Sequence, residues 1–90
     1  MNVSTAQLAS AREVANELFE ILGLRAYLFE VEPQDGEWLI QVECAVDEGW
    51  MSTNLYVDSD LLIQSKDKQA VRDQLLQKWG EQLTSCQRNR

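Results

Sequence analysis

Apolar residues along this chain follow two periods, and the switches between them mark its elements. From Trp38 to Val46 every second residue, Trp38, Ile40, Val42, Cys44 and Val46, is apolar or a thiol, the alternation of a β-strand with one buried face. The segment before it, about Arg25 to Glu32, alternates through Tyr27, Phe29 and Val31. The segment after it, about Trp50 to Asp58, alternates through Met51, Thr53, Leu55 and Val57. Outside these strands the period lengthens to that of a helix. Leu8, Ala11, Ala15, Leu18 and Leu22 recur one turn apart from about Ser4 or Thr5 to Leu22, Val14, Phe19 and Ile21 widen the stripe, and Gly23 supplies a stop. A second stripe, Val71, Leu75, Trp79 and Leu83, predicts a helix over about Lys68 to Leu83, with Ser65 or Asp67 as its cap.

Turn residues fix how the strands pair. Asp35-Gly36 as a two-residue loop sets Val31 opposite Ile40, Phe29 opposite Val42 and Tyr27 opposite Cys44, apolar against apolar throughout. A second turn in Asp47-Glu48-Gly49-Trp50, closed so that Val46 faces Met51, sets Cys44 opposite Thr53, Val42 opposite Leu55 and Ile40 opposite Val57. Leu61-Leu62-Ile63 is too short to classify and reads as a brief strand or an apolar plug. Residues 84–90 form a polar tail expected to fray.

The elements predict a single α+β domain over residues 1–90 in the order α-β-β-β-α. A three-stranded antiparallel meander carries both helices on its apolar face and leaves the other to solvent or a partner. The composition agrees, with 44% hydrophobic residues, four Gly and one Pro. At this length about 60–65% of the unfolded chain's surface is buried on folding, enough for one core only.

Charge narrows the function classes. The net charge is −7, and residues 1–60 hold twelve acids against only Arg12 and Arg25. Such a body repels phosphate, which disfavours nucleic acid and anionic membranes as partners. No run approaches the ~20 apolar residues of a membrane span, and the N-terminus lacks a signal-peptide pattern. Cys44 and Cys86 have neither the spacing of a disulfide framework nor that of a metal site. The expectation is therefore a reducing cytoplasm, with Cys44 inside and Cys86 exposed.

Catalytic chemistry finds little support. There is no histidine, so no imidazole base or ligand, and the glycines at 23, 36, 49 and 80 never cluster into a phosphate-binding loop. With the register above, no two acids face each other across strands, which leaves no carboxylate dyad. The expectation is a non-enzymatic protein without cofactor, metal or small-molecule substrate.

The outward sheet face is the candidate surface. Leu28, Leu39, Trp50 and Tyr56 lie on it among Glu30, Glu32, Glu43 and Asp58. Large aromatics on an open sheet face suit protein binding, with Leu39, Trp50 and Tyr56 as anchors and Glu30, Glu43 and Asp58 steering a basic partner. The alternative is that Trp50 folds over the second turn while Leu61-Leu62-Ile63 covers the rest. The third strand is also an edge without Lys or Pro, open to strand addition by another protein or by a second copy in a homodimer.

The element order resembles that of the double-stranded RNA-binding domain, and residues 65–72 resemble its lysine cluster, with Lys66, Lys68 and Arg72 as the matching bases. That resemblance implies phosphate contacts by these three residues. It runs against Asp67 between the lysines, the acid in the first hairpin loop, and Glu13, Glu17 and Glu20 on the first helix. A looser similarity, helix then hairpin in an acidic chain, is to the acidic secretion chaperones. The functional expectation is a small acidic adaptor, chaperone-like or regulatory subunit binding a protein. The alternatives are an acidic mimic of nucleic acid and a degenerate RNA-binding domain.

Overall fold

A computed structural model of the chain describes residues 4–87. Helix α1 (Thr5–Leu22) leads into strands β1 (Tyr27–Gln34), β2 (Glu37–Val46) and β3 (Gly49–Asp58). A short helix α2 (Ser59–Gln64), helix α3 (Gln69–Gln82) and a C-terminal 3₁₀ turn (Thr84–Cys86) follow. The sheet is an antiparallel meander in the order β1-β2-β3. This is the α+β arrangement the sequence predicts, with α2 added.

Local chemistry explains the ends. Ser4 caps α1 reciprocally with Gln7, the Ser4 Oγ accepting from the Gln7 amide and the Gln7 Oε1 accepting from the Ser4 amide. Gly23 closes the helix at φ 70°, a left-handed conformation that glycine adopts without the clash a side chain would meet there. Asp58 turns Leu61-Leu62-Ile63 into a helix: its Oδ1 accepts from the amides of Asp60 and Leu61. Neither Ser65 nor Asp67 caps α3; Lys68 stands at that position without a side-chain hydrogen bond.

The first hairpin has the expected register, Val31 opposite Ile40 and Tyr27 opposite Cys44. The second is displaced by two residues. Its loop is Asp47-Glu48, so Val46 faces Gly49, Cys44 faces Met51, Val42 faces Thr53 and Ile40 faces Leu55. Because side chains alternate with period two, a two-residue displacement keeps every residue on its expected face while changing its neighbours.

Helices α1 and α3 pack on the inward face around Phe19. Its ring meets Tyr27 and Phe29 edge-on, with centroids 5.7 and 5.2 Å away, and stacks on Trp79 at 5.4 Å. Ile40, Val42, Leu55 and Leu62 complete the core, whereas Ile21 is 57% exposed and does not belong to the stripe.

Cys44 lies inside as expected, but the rest of the cysteine expectation is overturned. Cys44 and Cys86 form a disulfide, and both are buried. Cys86 is drawn in by the 3₁₀ turn, its carbonyl accepting from the Arg25 amide, and Gln87 bridges to Leu24. Residues 84–87 are thus tied to β2 instead of fraying, and the ground for placing the chain in a reducing compartment is removed. Residues 88–90 of the expected tail lie outside the described residues.

Candidate functional site

The outward sheet face is built from alternate residues of three strands. The displaced register gives the rows Trp50–Ala45, Ser52–Glu43–Leu28, Asn54–Gln41–Glu30, Tyr56–Leu39–Glu32 and Asp58–Glu37–Gln34. Five of these positions are acids and none is Lys or Arg. The last row sets Asp58 beside Glu37, contrary to the expectation that no acids face each other across strands. Asp58 is already engaged as the α2 cap, which draws its carboxylate toward two amides.

The anchors separate. Trp50 is 63% exposed and Tyr56 49% exposed, so Trp50 does not fold away, and Leu62 turns into the core instead of covering the sheet. They stand six residues apart on one strand, about 20 Å. Leu39, only 6% exposed, is the cross-strand neighbour of Tyr56 and lies nowhere near Trp50. Between the aromatics lies a shallow hollow of about 590 Å³ bordered by Leu28, Glu30, Gln41, Glu43, Ser52 and Asn54. Leu28, 65% exposed, supplies an apolar contact the candidate set omitted; its place on the outward face was legible from the alternation of β1.

Trp50 borders a second cleft, about 600 Å³, between the β2–β3 loop and the 3₁₀ turn. There Arg25 reaches Asp47 at 3.1 Å, an exposed pair whose contribution to stability is small. Sequence reasoning missed this cleft because the disulfide that brings the 3₁₀ turn to β2 was not expected.

The basic cluster resembling an RNA-binding domain is partly spent inside the molecule. Arg72 donates from Nε to the Ser65 carbonyl and from its terminal guanidinium nitrogen to the Lys66 carbonyl, satisfying backbone oxygens after α2. Lys66 and Lys68 are exposed, as are Glu13, Glu17 and Glu20 on α1. Glu20 accepts from the Tyr27 hydroxyl at 2.6 Å; burial, then this hydrogen bond and the carboxylate charge, push the Tyr27 phenol up to about 12.

Among the described residues no three His, Cys, Asp or Glu side chains converge as a metal site, and no helix is long and apolar enough to cross a membrane. No family model, curated protein or solved structure matches the chain.

Proposed function

We propose that the protein is a non-enzymatic interaction module that binds a basic protein segment on the outward sheet face. The single-sign charge of that face carries this reading: Glu30, Glu32, Glu37, Glu43 and Asp58 stand among exposed Leu28, Trp50 and Tyr56 with no basic residue at any outward strand position. A Lys or Arg lying in the hollow meets Glu30 and Glu43 on either side, while an apolar neighbour rests on Leu28 or an aromatic ring. Leu39 contributes as the floor under Tyr56. An adaptor, chaperone-like or regulatory role fits such a surface.

The test is capture of partners from the source extract after nuclease treatment, with the native protein and with Glu43→Lys and Tyr56→Ala variants. A protein retained by the native chain and lost with both variants supports the reading. Equal retention by both variants sinks it. The same one-sign face favours a second reading, in which the acids imitate a phosphate backbone and occupy the site of a nucleic-acid-binding protein. In that case the captured partner itself binds nucleic acid, competes with it, and is released steeply by salt.

A further inference from the structure

We infer that two copies of this chain join edge to edge through β3 in an antiparallel ladder with its two-fold axis at Thr53. The free edge of β3 is self-complementary. Residues 49–57 contain no charge, no Lys and no Pro, the features by which edge strands ordinarily prevent such pairing. Among the described residues β3 pairs with β2 alone, so its other side offers unpaired backbone groups.

Hydrogen-bond parity identifies those groups. The Ala45 amide donates to the Ala26 carbonyl on the β1 side, so in β2 the neighbours Cys44 and Val42 turn toward β3, where they meet Met51 and Thr53. Trp50, Ser52, Asn54 and Tyr56 therefore point their amides and carbonyls to the open edge. An axis at Thr53 sets Trp50 against Tyr56 of the second copy and Ser52 against its Asn54, all in hydrogen-bonded positions. On the inward face it sets Met51 against Leu55. The two aromatics, too far apart to touch within one chain, each gain an aromatic neighbour. Moving the axis to Asn54 would place Trp50 opposite Asp58 instead, and face-to-face pairing of two sheets would bring acids against acids. The charge-free run ends at Glu48 and Asp58, where the ladder stops.

The inference stands apart from partner binding, and salt separates them: screening strengthens the association of two copies of net charge −7 but weakens capture of a basic segment. Sedimentation over a micromolar concentration series should give twice the chain mass, more completely at higher salt. Asn54→Pro should abolish the dimer; its amide faces away from β2, so the proline removes no bond within the sheet. Independently of how that variant folds, Thr53→Cys should cross-link to its own copy under mild oxidation. Non-hydrogen-bonded partners lie about 4.5 Å apart between Cα atoms, within disulfide reach, and both native cysteines are already paired. Asn54→Cys, displaced from its counterpart, should remain uncross-linked. A wild-type monomer throughout the series, a dimer unaffected by a folded Asn54→Pro variant, or cross-linking at 54 in preference to 53 overturns the proposal. A monomer that still captures a basic partner overturns this proposal alone.

Discussion

Cys44, buried in the middle strand, and Cys86, in the last turn of the described chain, are joined across 42 residues of sequence, so one covalent bond fastens the C-terminal turn to the sheet. Closing a loop of this length restricts the unfolded chain by an amount equivalent to about 4 kcal/mol on a loop-entropy basis. Replacing both cysteines by Ala should lower the unfolding free energy by about 2–4 kcal/mol in denaturant titrations. Reduction of the unmodified protein should approach the same value. Mass analysis after alkylation of the unfolded, unreduced chain should find no free thiol.

Tyr27 predicts an alkaline limit. Its phenol keeps its proton to about 12 in the folded protein, against 10.0 ordinarily. As pH rises past 10 the unfolded chain releases this proton first, so the contribution is whole below pH 10 and disappears on the way to 12. Unfolding titrations at pH 9 and pH 11 should therefore show a larger loss for the native protein than for Tyr27→Phe. An equal loss in both would exclude Tyr27 as the group responsible.

Trp50 and Trp79 should respond oppositely to truncation. Trp79 is fully buried against Phe19, and Trp79→Ala should cost about 3–5 kcal/mol or prevent folding. Trp50→Ala, on an exposed position, should change stability by no more than about 0.5 kcal/mol while weakening partner binding. Thermal melts and circular dichroism of the two variants provide the comparison.

Much of this architecture is legible in the alternation of apolar residues, and what is not legible rests on backbone and tertiary features that alternation does not encode. In the first hairpin Asp35-Gly36 sits between two alternating runs and admits one closure, with Gly36 at φ 70°. In the second, Asp47-Glu48-Gly49-Trp50 offers several closures, and the period of two makes closures that differ by two residues equally acceptable to the core. The choice made by the fold, with Gly49 at φ 132° opposite Val46, depends on a glycine backbone that a hydrophobic pattern does not encode. The same displacement sets Tyr56 opposite Leu39 and leaves Trp50 beside Ala45, so the outward face is legible but not its internal neighbours. The disulfide was hidden because Cys86 follows a polar stretch and reaches Cys44 only through the turn after α3. Ile21 was misplaced because a helical stripe can be widened on either side, and the sheet covers only one.

Arg72 should matter for folding more than for nucleic acid. Its guanidinium joins the chain after α2 to the first turn of α3 through two backbone carbonyls. Arg72→Ala should cost about 1–2 kcal/mol through the lost charge-assisted hydrogen bonds, and Arg72→Lys should recover only part of that because an ammonium lacks the planar fork. Denaturant unfolding of both variants measures it. A loss confined to polynucleotide binding, with unchanged stability, would contradict this placement.

The distribution of the three tryptophans gives the molecule two optical channels. Trp38 and Trp79 are sealed in the core, whereas Trp50 stands in water beside Asp47 and Glu48. A red shift in the emission of the sealed pair reports loss of the core. Quenching by acrylamide, or by caesium in preference to iodide near those carboxylates, reports whether the open indole is covered. Occupancy of the surface and integrity of the fold can thus be followed in one cuvette, without a label.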